Sequence, residues 1–410
     1  MPFPHADGLS LLLMALTTLV VGASALHGVR YLPASDAPRR RSLLLWPLLA
    51  LLWLALYTLF ASGHLVVQYL ALEVTALCAV ALMLLPGSQA SQEAGRRYLL
   101  CTLSGSLLLL PSVAWLAGQQ PDLSLVALAE VEVAPWWLAV ISAGLLIKMA
   151  GFPLHGWLPP AHAAAWVPVS TVHAALVIKA AFFMAVSIWT TLAPAALSGA
   201  QLLGWLGSVA IVWGSLLAWR QTELKGVVAY STVAQVGYLL LLFPLLFGTA
   251  EAVATLAWQS TWLLVISHAL AKAAMFMAVG SLVLAMGRGD LAGLSGVGQR
   301  LPLSLLVFGL AAVSLLGLPP SGGFTAKWML LHAAILAQQW QWVVVVAVGT
   351  LLGAAYVFRV FRYCFVVPEQ EQEIRVPPVS LDIIALLLAL AAMGAGLAAA
   401  PLVSLIGGPP

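Results

Sequence analysis

Five lysines occur in the 410 residues, and four of them (Lys148, Lys179, Lys272 and Lys327) lie inside long apolar runs, Lys225 standing apart at a loop. An ammonium at the centre of a bilayer costs at least ~2.5–3.5 kcal/mol on insertion scales, so such a residue needs a partner or a purpose. Lysine is the cation suited to switching. Desolvation shifts its hold on a proton by several pH units, and a neighbouring carboxylate or water chain then decides whether the proton stays. Arginine keeps its proton at any useful pH. Buried lysines in series therefore read as a path for protons. Glu73, in Leu72-Glu73-Val74-Thr75, is an acid in the middle of an apolar run, and Lys148 is its natural partner. While the pair is closed the lysine stays charged; when it opens, the proton moves to a neighbour, and Lys179, Lys272 and Lys327 continue the line.

Histidines stand beside these lysines. His173 precedes Lys179 by six residues, and His268 lies one turn before Lys272 on the same helix face. Histidine titrates near neutral pH and bridges water wires. His155 and His162 flank an interruption in the fifth apolar run, either as caps of half-helices or as members of the path. Blander roles compete. A lysine near a helix end can snorkel to the headgroups, which applies most readily to Lys327, and Glu73 alone could be a structural hydrogen bonder. His332 reads as packing, and Trp136, Trp137, Trp157, Trp166 and Trp340 as interface anchors or packing.

The elements that must hold these residues follow from composition. The chain is 62% hydrophobic and only 8% charged, with a mean hydropathy of +1.04, where a soluble protein carries roughly 25% charged residues. Its apolar runs are about 20 residues long, enough to cross a bilayer as helices. Twelve spans are expected, at 8–29, 43–62, 65–86, 98–117, 134–166, 169–190, 200–219, 227–247, 257–286, 302–338, 341–363 and 381–404. The fifth and tenth are too long for one straight crossing, and both are interrupted, by Gly151-Phe152-Pro153 and by Gly317-Leu318-Pro319-Pro320-Ser321-Gly322-Gly323. Proline removes a backbone donor and glycine frees the chain, so each reads as two half-helices. The first run, from Leu9 to Leu26, lacks a positive flank ahead of it and reads as a retained span, not a signal peptide.

Every arginine falls in alternate loops if each broken run crosses once: Arg30 with Arg39, Arg40 and Arg41; Arg96 and Arg97; Arg220 with Lys225; Arg288 and Arg300; Arg359, Arg362 and Arg375. The opposite loops hold Asp122, Glu130, Glu132 and Glu251 and no Arg or Lys. The positive-inside bias then puts the arginine loops in the cytoplasm and both termini on the outer side of a bacterial inner membrane. The net charge of +3 thus reflects loop placement and does not point to nucleic acid. Cys78, Cys101 and Cys364 lack the spacing of a metal cluster or a disulfide framework, and no metal site is expected.

The expected fold is all-α and polytopic, with about twelve transmembrane helices. The broken spans are five helices apart, so the chain divides into an N-terminal helix and loop (1–42), a first unit (43–190), a second unit (200–365) and a C-terminal helix (366–410). Five is odd, so the second unit enters the membrane inverted, and paired broken helices in two inverted halves point to an ion site.

The segment Phe152-Pro153-Leu154-His155-Gly156-Trp157-Leu158-Pro159, with Ala161-His162 and Pro168-Val169-Ser170, resembles the proton-translocating antiporter-like family. That family comprises the large membrane subunits of complex I, membrane-bound hydrogenases and Mrp-type antiporter subunits. Gln221-Thr222-Glu223-Leu224-Lys225, Ala229-Tyr230-Ser231-Thr232, Gln235-Val236-Gly237-Tyr238, His268-Ala269-Leu270-Ala271-Lys272-Ala273 and the run from Gly317 to Lys327 follow in the family's order. The resemblance implies that Glu73 and Lys148 take the family's glutamate–lysine pair. Lys179 and Lys272 would be its central relay lysines, Lys327 the lysine of the second broken helix, and His173 and His268 histidines beside the relay. Gly151, Pro153, Pro319, Pro320 and Gly322, with His155 and His162, would shape the two breaks. It also implies two inverted five-helix units, half-channels, and activity only within a larger complex.

Against the family's pattern, Pro160 stands where an acid commonly precedes Ala-His, and the chain is expected to begin late relative to long members and to be without the long lateral C-terminal helix of one complex I subunit. The expected function is proton or cation/proton translocation, as a subunit of an Mrp-type antiporter or a complex I-like redox pump, with no cofactor of its own. Its partners would be other membrane subunits, the lipid bilayer and a cytosolic enzyme. Two alternatives stand beside it: the energising subunit of an inorganic-carbon uptake complex, and a structural scaffold.

Overall fold

The computed structural model describes residues 7–193, 196–366 and 374–410; residues 368–373 of the polar stretch at 368–378 lie outside them. Fifteen helices carry the fold. They are α1 (Gly8–Ala34), α2 (Arg39–Ala61), α3 (Leu65–Leu84), α4 (Gln89–Gln119), α5 (Pro135–Lys148), α6 (Leu158–Ala164), α7 (Val167–Leu192), α8 (Leu197–Arg220), α9 (Leu224–Leu246), α10 (Glu251–Met286), α11 (Pro302–Leu316), α12 (Gly322–Leu336), α13 (Trp340–Cys364), α14 (Val379–Leu397) and α15 (Ala399–Ile406). Among the described residues there is no strand, only isolated bridges at His64–Ser124 and Glu223–Asp290. Ten of the helices are long and apolar enough to cross a membrane, and α5–α6 and α11–α12 supply the two broken spans. The protein is an all-α polytopic membrane protein.

Side chains close several helix starts. Asp7 accepts from Ser10 N at 2.7 Å, Ser88 from Ser91 N at 3.2 Å, and Ser321 from Phe324 N at 3.1 Å. Layering follows from which helices are surrounded. In their most apolar windows α7 and α9 are 94% buried and α10 83%, against 33% for α4 and α13, so the first three form the centre. The 36 residues of α10 run about 54 Å, well beyond a ~30 Å hydrocarbon layer. This spine packs against α1, α7, α9, α11, α12 and α14. Small residues let backbones close up, since lipid gives helices no hydrophobic drive to associate. A Cβ added at Gly207 of α8 would sit 2.6 Å from the carbonyl oxygen of Gly237 in α9.

Both interruptions are real breaks. Each half-helix has at most 15 residues, about 22 Å, which is short of a full crossing. The α5 end closes through Gly151 N bonding Leu146 O at 2.8 Å and Ala150 N bonding Ile147 O at 3.2 Å. The left-handed residue of that cap is Ala150, at φ +55°, and not Gly151. The expectation that Gly151 supplies the conformational freedom is corrected here: its own role is room, because a Cβ there would meet Leu146 Cδ2 at 2.6 Å. At α11 the equivalent position is a glycine, Gly317 at φ +79°. Pro153 and Pro320 follow cis peptide bonds. Gly322 lets α12 start against α14 and α10, since a Cβ would lie 2.9 Å from Ala395 Cβ and 3.1 Å from Ser267 Cβ.

A loop at the end of α10 is pinned to the start of α9: Leu224 N bonds Gly289 O at 2.8 Å and Leu291 N bonds Thr222 O at 2.8 Å. Within it Arg288 donates to Asp290 and holds that carboxyl below the usual carboxylate range.

Candidate functional site

Lys148 is the last residue of α5, and its side chain runs over Gly105 of α4, where a Cβ would approach Lys148 Cγ to 3.2 Å. Its ammonium donates to Glu73 Oε2 of α3 at 3.1 Å, to Thr102 Oγ1 at 3.1 Å and to Ser106 Oγ at 3.0 Å, both on α4. Ser106 also donates to Glu73 Oε2 at 2.7 Å. The lysine side chain is 3% exposed and the glutamate's 20%, so the pair has a buried end and a more open one. This is the pairing expected from the sequence.

Lys179 lies just past a π-helical turn, His173–Val177, inside α7. Such a turn widens the helix and leaves carbonyls without their usual donors, a feature common at functional sites. Lys179 donates back to the carbonyl of Ala174. Lys272 is fully buried in α10 and donates to Val228 O at 2.7 Å and Ser231 Oγ at 2.5 Å, both on α9. Lys327 does not snorkel. It is 5% exposed and turns back to the carbonyls of Leu315 and Leu316, at 3.0 and 3.1 Å, with its ammonium 4.4 Å from the centre of the Tyr238 ring. Those carbonyls end α11 and have no intrahelical donor, so the cation completes a helix terminus and meets its negative dipole end. Gln235 donates to the same Leu315 carbonyl at 3.2 Å. At the first break a neutral group has the equivalent task, Trp157 Nε1 donating to Ile147 O at 3.0 Å.

The histidines join these lysines unequally. His268 is buried within electrostatic reach of Lys179, Lys272 and Lys327, and Lys179 is within reach of Lys272. His173 Nε2 lies 3.0 Å from the hydroxyl of Tyr98 on α4. Its ring stands 5.0 Å from that of His162, which stacks on Phe276, 4.8 Å away and one turn beyond Lys272. Both ring nitrogens of His162, Nδ1 of His173 and Nε2 of His268 are buried without a hydrogen-bond partner among the described residues. His162 therefore does not cap a half-helix; it sits at the crossing of α6, α7 and α10. His155 stays apart, stacked on Phe152 within the break at 5.7 Å. His332 lies on the exposed face of α12, not in packing. Trp136 and Trp340, each 56% exposed, fit interface anchors, whereas Trp137 and Trp157 are buried.

Lys225, read from sequence as a loop cation, is half-buried at the start of α9. Its ammonium donates to Ala165 O, at the end of α6, at 2.8 Å, within electrostatic reach of His162. A carbonyl left open by the short α6 explains why it turns inward.

Sequence reading missed the hydroxyls. Tyr98, Thr102 and Ser106 recur every fourth residue along one face of α4, and Ser231, Gln235 and Tyr238, spaced by four and then three, share a face of α9. That spacing was visible; what it faces was not. Asp382, 5% exposed in the first turn of α14, was also passed over; it accepts from Ser304 Oγ at 2.7 Å. Among the described residues no group of three His, Cys, Asp or Glu is placed to hold a metal ion.

Buried lysines and histidines thus lie inside a bundle of membrane helices in which two spans are broken. Residues 62–353 match the family described as NADH:quinone oxidoreductase/Mrp antiporter, TM, and the chain belongs to that family. It is 35% identical over 332 residues to NADH-quinone oxidoreductase subunit N of Desulforudis audaxviator (strain MP104C), covering 78% of this chain and 65% of that one. It is 27% identical over 350 residues to Na(+)/H(+) antiporter subunit A1 of Staphylococcus aureus (strain JH9), covering 82% of this chain and 43% of that one. The chain thus spans less than two thirds of the length of either relative. Among solved structures it superposes on a chain of the membrane-bound sulfane sulfur reductase, an archaeal respiratory membrane complex, with TM-score 0.86 and 26% identity, covering 98% of this chain and 82% of that one. A chain of the Mrp complex from Dietzia sp. DQ12-45-1b, at 22% identity and TM-score 0.85 over 98% of this chain and 82% of that one, shares the fold.

Proposed function

We propose that the chain is a proton- or cation/proton-translocating membrane subunit of a larger complex, of the Mrp antiporter or complex I-like redox-pump kind. One observation carries this reading. Lys179, Lys272 and Lys327 are buried within electrostatic reach of His268, and their hydrogen bonds among the described residues run to carbonyls and a hydroxyl and to no carboxylate. Like charges in a medium of low dielectric repel strongly, so a proton arriving on one amine displaces a proton on the next. Glu73 sets the first member: closing on Lys148 favours its charged form, and opening favours passing the proton on. A scaffold would gain nothing from burying such groups, and replacing them with apolar side chains would then be neutral or stabilising.

On this reading the relay comprises Glu73, Lys148, Lys179, Lys272 and Lys327 with His173 and His268, and the breaks give the path its ends. The units at 43–190 and 200–365 are inverted repeats, the arginine loops face the cytoplasm, and both termini lie outside. The driving reaction belongs to partner chains, membrane subunits and a cytosolic enzyme. The test is reconstitution of the assembled complex in proteoliposomes carrying a pH-sensitive dye. Lys148→Ala and Lys272→Ala are expected to lower proton movement at least about tenfold, with assembly intact. Wild-type rates in either would sink the relay.

A further inference from the structure

Glu73 and Lys148 form a cluster against α3 and α4, whereas the histidine pair sits against α6 and α7, and a proton needs a way between them. One side chain shares a helix face with the first cluster and bonds to the second. Tyr98 occupies the α4 face that carries Thr102 and Ser106, the two hydroxyls on Lys148, and its own hydroxyl reaches His173 Nε2 at 3.0 Å. It is 2% exposed. Its ring is fixed between two others, stacked on Trp157 at 4.2 Å and 3° and edge-on to His173 at 5.2 Å. Trp157 is itself anchored to Ile147 O, beside Lys148, at 3.0 Å. The phenol is thus held rigidly with its oxygen aimed at the histidine.

We propose that Tyr98 is the junction of the relay, carrying protons between the Glu73–Lys148 couple and the His173–His162 pair. The inference rests on the translocation reading above. Tyr98 and Thr102 are successive members of one helix face, and water carries the step between their hydroxyls. In the forward step Lys148 gives a proton to the Thr102 oxygen while the Thr102 hydroxyl proton leaves to that water. The water passes one on to the Tyr98 oxygen, and the Tyr98 hydroxyl proton goes to Nε2 of His173, in the tautomer that carries its hydrogen on Nδ1. Each oxygen gains one proton and loses one, so the net change is one proton from Lys148 to His173. Nδ1 of His173 has no hydrogen-bond partner among the described residues and belongs to the ring beside His162, which gives the proton an onward acceptor. The hydroxyls must then turn over before the next transfer, which makes the junction a place where the two parts of the path can be uncoupled.

The experiment uses the assembled complex in proteoliposomes. Tyr98→Phe keeps the ring stack and removes only the hydroxyl, and Thr102→Val keeps the side-chain shape. Each is expected to lower proton movement at least tenfold while the unfolding midpoint in detergent stays at the wild-type value. Replacing Tyr98 by a ring-fluorinated tyrosine, a more acidic phenol of nearly the same shape, is expected to shift the pH profile of transport toward lower pH. A merely structural tyrosine would leave that profile in place. Lys272→Ala runs alongside. If it transports normally, the translocation reading itself fails. If it is inactive while Tyr98→Phe or Thr102→Val transports at the wild-type rate, or the fluorinated variant keeps the wild-type profile, the assignment of Tyr98 is overturned and the relay stands.

Discussion

Lys148 has three hydrogen-bond acceptors but a single charge partner, Glu73, and that asymmetry separates its structural from its functional part. Removing one member of a buried ion pair costs about 3–5 kcal/mol because the other charge is left uncompensated, whereas removing both is near neutral. Glu73 is partly open, so Glu73→Gln is expected to cost about 3 kcal/mol, the low end of that range. Adding Lys148→Met should restore the unfolding midpoint. Transport should stay at least tenfold down in the single and the double variant alike. Recovery of both stability and transport in the double variant would show that the pair is only structural. The charged members of this site were legible because a lysine or glutamate in an apolar run is conspicuous whatever it touches. Tyr98, Thr102, Ser231 and Gln235 were not. Hydroxyls and amides are common in transmembrane helices, and only the packing of α4 and α9 reveals which of them meet a cation.

At the level of elements, the two breaks were visible in their Gly and Pro residues, but their internal chemistry differs in a way letters do not announce. Ala150 takes a left-handed conformation that Gly317 takes at the other break. That conformation costs a non-glycine residue roughly 1–2 kcal/mol. Ala150→Gly would relieve it but lose a buried methyl, about 0.8 kcal/mol, and add unfolded-chain entropy of roughly 0.5–1 kcal/mol. The terms cancel, so the unfolding free energy should move by less than about 0.5 kcal/mol. Gly317→Ala has no such offset. It acquires the left-handed penalty, roughly 1–2 kcal/mol, and its Cβ would press on Lys327 Cδ at 2.8 Å, so it should destabilise by about 2 kcal/mol and disturb the Lys327 contacts as well. Thermal unfolding in detergent distinguishes these outcomes, and equal losses at the two sites would refute the comparison. The π-turn at His173–Val177 lay beyond sequence reading altogether. It carries no Gly or Pro, and it arises where α7 is buried on all sides and Lys179 can satisfy the carbonyl the turn sets free.

For the whole molecule, the proposed topology rests on the half-helices: α5, α6, α11 and α12 are each too short to cross alone, so on that reading every broken run crosses once, and twelve crossings would return the chain to the side on which it started. That parity is what lets the arginines sort into alternate loops, and it makes orientation testable on a single helix. Gln92, in the first turn of α4 near Arg96 and Arg97, and Gln119, its last residue, are both exposed, about 40 Å apart along the helix. In cells whose native Cys78, Cys101 and Cys364 have been replaced by alanine, Gln119→Cys is expected to react with a membrane-impermeant maleimide added outside. Gln92→Cys should react only after the membrane is opened. A cysteine at Glu251, the first residue of α10, should behave like Gln119→Cys, and one at Arg288, just past the end of that helix, like Gln92→Cys. The reverse pattern would invert the protein and place the arginine loops outside, against the bias that fixes membrane orientation. The same reactivity at both ends of either helix would deny that it crosses, and with it the parity on which two inverted halves depend.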